Sequence, residues 1–235
     1  MNLSRMSKAI KLVLIFTLAL VIGVGSIGFS GTSVTVSAAA NKKYVATLTI
    51  HSDPSQKIYG NHAFLSIKNT SKQRLNILGT YVQPDNSITV STYPSHSVIN
   101  PKIVYGAGIY TNLDAYLIKY KGEYKNRVSL SRKLTSEDLK KVLKCMSEHN
   151  KWTEFNNCAW FAVTVWDTVA DYGDHLLGFN AVYIYNPVSL SNEIKKKYNY
   201  KKCAPIGNCD KSNVRKYNGP NSSKLILPRY IDSWY

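Results

Sequence analysis

A cysteine stands at position 158, in the stretch NNCAWFAVTVWD that ends at Asp167, where an amphipathic helix begins. Ala162, Val165, Trp166 and Val169 recur at helical spacing, and Cys158 falls on the same stripe. In the first turn of a helix a thiolate is favoured by the dipole and by free backbone N–H groups. The same amides can line an oxyanion hole, and Asn157 or Asn156 is placed to cap the helix and add a side-chain donor. A thiol becomes a catalyst only with an imidazole in hydrogen-bond reach, oriented by a third polar group. Five histidines are available, of which His175 lies at or just past the far end of this helix, and none follows it. The partner is therefore expected upstream. His62 is best placed, because it opens the strand HAFLSIKN directly after the Gly60-Asn61 turn. The plain alternatives are a buried structural cysteine and a half-exposed strand histidine.

The elements that must position these groups read as α+β. YVATLTI (Tyr44–Ile50) alternates apolar and polar residues as a strand does. HAFLSIKN and RLNILGTYV read as two strands joined by a turn at Thr70–Gln73, and SITVSTY (Ser87–Tyr93) follows the Pro84-Asp85-Asn86 turn. Asn112–Ile118 suggests a short helix and RVSLS (Arg127–Ser131) another strand. A helix opens at Thr135, with Asp138 as its capping-box partner, and its apolar face comprises Leu139, Val142, Leu143 and Met146. Pro187 is a favoured first helical position for a last helix through Ile194. Strands come mostly first and helices later, which is the α+β order. Beyond Tyr198 the pattern is a Lys-, Asn- and Cys-containing loop.

GNHAFLSIKN and the later NNCAWFAVTVWD together resemble the circularly permuted branch of the papain-like NlpC-type hydrolases, which includes the lecithin retinol acyltransferase-like proteins. In that branch the histidine strand precedes the cysteine helix. Gly60, His62, Asn157, Cys158 and Phe161 carry the resemblance, which spans roughly residues 58 to 170; Asn61 interrupts the G-H pair. The resemblance implies a permuted papain-like fold, an antiparallel sheet packed against the helix that carries the cysteine. Cys158 would be the nucleophile and His62 the base. The third group would be a polar residue on the strand beside the histidine: Thr80 if the Thr70–Gln73 turn brings that strand back, or Asn76, whose amide also suits an imidazole.

The remaining signals concern compartment and partners. Arg5, Lys8 and Lys11, the apolar run from Leu12 to about Gly25, and Ser37 to Ala40 have the layout of a secretory signal peptide, residues 1–39. GVGSIG within it matches a dinucleotide fingerprint but lacks the strand–turn–helix unit that gives the motif meaning. Residues 40–198 are then expected as the catalytic domain and 199–235 as a loop-rich extension. The formal charge of +16, less three basic residues in the leader, is +13. A secreted protein so charged should adsorb to anionic cell-wall polymer, with peripheral contact to an anionic membrane as a second expectation. No nucleic-acid reading motif, zinc HExxH or G-x-S-x-G elbow is present in the mature chain, and no cofactor or metal is expected. Cys203 and Cys209 bracket a Pro/Gly loop and are expected to form a disulfide, while Cys145 reads as a small buried hydrophobe. The expectation is a secreted, basic thiol amidase or peptidase acting on cell-wall peptide; the alternative is a binding protein that keeps the fold without turnover.

Overall fold

A computed structural model describes residues 42–55, 61–94, 107–179, 184–220 and 222–226. The expected leader, Gly60 and His96 lie outside the described residues. The chain separates into Met1–Asn41 and a compact unit from Lys42 to Tyr235, which holds every element named below. These are β1 (Tyr44–Asp53), β2 (His62–Asn69), β3 (Leu75–Ile77), β4 (Thr80–Val82), β5 (Asn86–Tyr93), β6 (Gly108–Thr111) and α1 (Leu113–Tyr116). A π-helical turn, Leu117–Lys121, continues α1. Then come β7 (Val128–Thr135), α2 (Ser136–Glu148), α3 (Cys158–Asp167) and α4 (Pro187–Lys195). Four short strands follow, β8 (Lys201–Lys202), β9 (Asn208–Cys209), β10 (Arg215–Gly219) and β11 (Ser222–Leu225).

The protein is α+β, with one large, mostly antiparallel sheet ordered β11-β10-β6-β5-β2-β1-β7-β8 and β9 lying parallel to β5. Its central strands are buried on both faces, and strand alternation sorts the two sides. Ala46, Leu48 and Ile50 of β1, Ala63, Leu65 and Ile67 of β2, and Ile88 and Val90 of β5 form an aliphatic layer with α2, α3 and α4. The opposite face is aromatic: Phe64, Tyr93 and Tyr110 pack with Leu113, Tyr116 and Tyr124. The helix starts are locally encoded. Thr135 and Asp138 form the capping box of α2, and Asn186 caps α4 ahead of Pro187.

Two expectations are corrected. RLNILGTYV is not one strand beside β2. It folds on itself as the β3–β4 hairpin, turning at Leu78 and Gly79, whose φ values of 51° and 79° are both left-handed. Asn76 Oδ1 accepts from Gly79 N at 3.0 Å and fixes that turn. The strand beside β2 is instead β5. Nor does a domain end at Tyr198. β8 extends the sheet beyond β7, β10 extends it beyond β6, and Ile206, Cys209, Val214 and Ile226 complete the aromatic core.

One departure from regular pairing builds the site. β2 pairs with β5 only from Leu65–Lys68 to Ser87–Val90; beyond that β5 turns to β6. The strands part, and the mouth of the gap is framed by His62 and Ala63 on one side and Ser91 and Tyr93 on the other.

Candidate active site

The N-terminus of α3 meets this gap. Asn157 is the N-cap: its Oδ1 accepts from Ala159 N at 3.0 Å and Trp160 N at 3.1 Å. Its Nδ2 is also committed, donating to Tyr185 O at 2.6 Å and Glu154 O at 3.1 Å. Asn157 is therefore a cap and a tether, and the expected side-chain donor to an oxyanion is corrected. The first-turn amide that the cap does not reach is Cys158 N–H.

Cys158 is 8% exposed and His62 5%, so both residues are almost wholly withdrawn from water. The His62 imidazole and the Ala63 N–H both act on the Cys158 thiol and favour its ionised form. Nε2 of His62 donates to Asp114 Oδ1 at 2.9 Å, leaving Nδ1 as the ring nitrogen for the thiol. The ring is held between tyrosines, its centroid 4.6 Å from that of Tyr93 and 5.2 Å from that of Tyr124.

Asp114 is fully buried and heavily bonded. Tyr93 OH donates to Oδ1 at 2.7 Å and Ser91 Oγ to Oδ2 at 2.8 Å. The acid comes from α1, which the left-handed Asn112 (φ 61°) turns out of β6. Asn112 Oδ1 accepts from Thr89 N at 3.3 Å, pinning the start of α1 over β5.

The charges follow from this arrangement. Burial opposes ionisation of the Cys158 thiol, yet the His62 charge, its hydrogen bond and the Ala63 N–H together bring the thiol below its ordinary value. Burial likewise opposes the imidazolium, but the Cys158 thiolate and then the bonded Asp114 carboxylate raise His62 well above its ordinary value. Both shifts favour a thiolate–imidazolium pair at neutral pH.

Cys158 and His62 are thus brought together as expected, and their third partner is Asp114. Thr80 is corrected: it sits in the β3–β4 hairpin with Oγ1 3.4 Å from Thr111 Oγ1. Asn76 is spent on the hairpin turn. The signal for Asp114 was a single acid placed in the mostly apolar and aromatic run GIYTNLDAYLI, Gly108–Ile118. The Cys203–Cys209 disulfide is also corrected, since both thiols are free. Cys203 is exposed with Sγ on Lys125 O at 2.7 Å, whereas Cys209 turns inward to Ile206 O at 3.3 Å. Cys145 is buried as expected, and burial pushes its thiol up to about 11. His149 Nδ1 lies 3.5 Å from Cys145 Sγ and 2.7 Å from Cys145 O, the usual backbone bond of a helix end. His175 faces Asp167, 3.5 Å away. Among the described residues no His, Cys, Asp and Glu cluster is placed to hold a metal ion, and no helix is long and apolar enough to cross a membrane.

No family model, no curated protein and no solved structure matches this chain.

Proposed function

We propose that the protein is a thiol hydrolase of the permuted papain-like kind, acting outside the cell on amides or esters, with cell-wall peptide as its substrate class. The observation that carries this reading is the Cys158–His62–Asp114 chain: a cysteine at a helix start whose ionisation is favoured, an imidazole acting on it, and a buried carboxylate 2.9 Å from the ring. A buried structural cysteine needs none of these, and Cys145 shows the contrast, with a thiol raised by burial.

The chemistry follows. The Cys158 thiolate donates a lone pair to the carbonyl carbon, and the C=O electrons move to oxygen. Cys158 N–H is the nearest first-turn amide for that oxyanion. As the C–N bond breaks, the His62 Nδ1 proton passes to the departing amine. The neutral imidazole then takes a proton from water, whose oxygen attacks the thioester. The C–S bond breaks, the acid leaves, and the thiolate–imidazolium pair is restored. Asp114 holds Nε2 throughout and stabilises the charged ring, so its role is orientation and charge. The cell-wall assignment leans on the leader pattern and on the formal charge of +16 over the whole sequence.

The test is acyl transfer to the protein. p-Nitrophenyl acetate should leave a single acetyl group on Cys158, readable by mass, and Cys158→Ala should take up none there. Purified wall peptide should then release new free amines with wild type alone. A binding protein that kept this fold without turnover would leave Cys158 unmodified by the ester.

A further inference from the structure

The end of the sheet where β5 begins holds a polar cleft of about 250 Å³. It is bounded by the β3–β4 hairpin, by the first residues of β5 and by the segment after β9. Asn86 on its wall and Tyr93 beside His62 are the two ends of β5, roughly 23 Å apart at the usual strand rise of ~3.3 Å per residue. Ile88 and Asn112 form its inner wall, and Asn112 precedes Asp114 by two residues, but none of Cys158, His62 and Asp114 lines the cleft, so it is a different pocket from the hydrolytic centre.

Its lining is specific in kind. Gln83, Asn86 and Asn213 contribute amides, Asp210 a carboxylate and Tyr81 an aromatic ring. Several polar atoms are already spent on holding the walls. Asn86 Oδ1 accepts from Asn208 Nδ2 at 2.8 Å, Asp210 Oδ1 from Ser212 Oγ at 2.8 Å, and Asn213 Oδ1 from Arg215 Nε at 2.9 Å. That fixes the side chains in place while Asn86 Nδ2, Asn213 Nδ2, Asp210 Oδ2 and the Gln83 amide take no hydrogen bond among the described residues. Tyr81 is 58% exposed, and the Arg74 guanidinium lies 4.4 Å from its ring centroid, bracing one face.

These groups select a ligand class. Among the described residues no lysine or arginine lines the cleft itself, and the nearby Arg74 and Arg215 guanidiniums are engaged with Tyr81 and Asn213, so the cleft is not built for a polyanion. One carboxylate is too few for a hard cation, which takes six or more oxygens. An apolar ligand would strand the free amides without partners. Fixed amides that both donate and accept match a ligand with many hydroxyls, each of which does the same. A tyrosine face at the rim suits the flat C–H side of a pyranose ring. From the cleft, its free amides and its braced tyrosine we infer that this end of the sheet is a binding site for a neutral saccharide of one or two rings at a time. It gives the residues after Tyr198 a second task besides filling the aromatic core, since Asp210 and Asn213 form one wall.

The inference is independent of turnover and is tested without it. The full chain carrying Cys158→Ala is titrated with chitotriose and with maltotriose, following amide chemical shifts by NMR. Saturable binding of at least one sugar, with shifts centred on residues 81–88 and 208–213, is expected. Tyr81→Ala and Gln83→Ala, both at exposed positions, should each weaken it by about tenfold, the loss of one good contact. The inference is overturned if neither sugar saturates the protein up to about 50 mM, well past a millimolar Kd. It is equally overturned if binding survives both substitutions, or if tetra-alanine competes for the same residues as strongly as the sugar does.

Discussion

His62 and Asp114 lie 52 residues apart in the chain, yet Nε2 of the one is 2.9 Å from Oδ1 of the other. The carboxylate serves three donors at once, since Ser91 and Tyr93 also bond it. Removing its charge therefore has a different effect from removing its volume. Asp114→Asn should fold, and should lower kcat/KM for p-nitrophenyl acetate by about a hundredfold or more, because an amide neither fixes the Nε2–H tautomer nor stabilises the charged ring. Asp114→Ala leaves three buried donors without an acceptor and should cost about 3–5 kcal/mol in denaturant titrations. Equal activity in Asp114→Asn and wild type would remove the carboxylate from the mechanism.

The second expectation concerns pH. Cys158 is lowered and His62 raised, so the reactive ion pair exists between the two titrations. Alkylation of Cys158 by iodoacetamide should rise as pH climbs through the lowered thiol value, at lower pH than for an ordinary cysteine. Ester turnover should fall again only in alkali, when His62 loses its proton. His62→Ala removes the imidazole's influences on the thiol and leaves only that of the Ala63 N–H, so its alkylation rate at pH 7 should drop about tenfold for each unit the thiol pKa rises above that pH. A thiol titration indifferent to His62 would contradict the ion pair.

His51 predicts an acid-side effect on stability. It is fully buried, stacked on Phe64 at 4.5 Å, with Nδ1 2.7 Å from Ser129 Oγ and Nε2 2.9 Å from Ser66 Oγ. Burial, helped by the nearby Arg127 charge, pushes its pKa down from 6.5 to about 3. The unfolded chain therefore binds a proton that the native state refuses. Stability from this group is complete above pH 6.5 and is lost as pH falls toward 3, by about 2–3 kcal/mol at pH 4.5. Unfolding free energies at pH 7 and 4.5, for wild type and His51→Gln, check it; the variant should show the smaller drop.

A fourth expectation concerns Gly207. Its φ is +77°, and a Cβ there would overlap Ser87 Oγ on β5. Gly207→Ala therefore meets both backbone strain and a clash, and should cost about 2 kcal/mol or more. The thermal midpoint reports it, and an unchanged midpoint would mean that β9 does not lie against β5 as described.

What the sequence made legible divides by range. The helix starts were readable because their caps are local: Thr135 with Asp138, Asn157 before Cys158, and Asn186 before Pro187 all act within three residues. The thiol and imidazole were readable because each announces itself by type and by position at the end of an element. The third member was not, because β2 chooses its neighbour through contacts that no turn records. Gly79 sits inside LNILGTYV, and its left-handed backbone folds that run upon itself, which removes Thr80 from His62 and gives β5 the place. The last 37 residues read as loop because strands of two residues, such as β8 and β9, are too short to show a period.

The parting of β2 and β5 also ties reactivity to the order in which the chain assembles. Ala63 N–H, the His62 ring and the first turn of α3 come from distant parts of the sequence and meet only at that opening. An unfolded chain carries an ordinary, protonated thiol that nothing activates. Reactivity toward iodoacetamide at neutral pH therefore appears late, when the strands have docked and the helix has closed over them. In a refolding experiment the return of Cys158 labelling is a clock for the final docking step, set apart from the earlier recovery of helical circular dichroism.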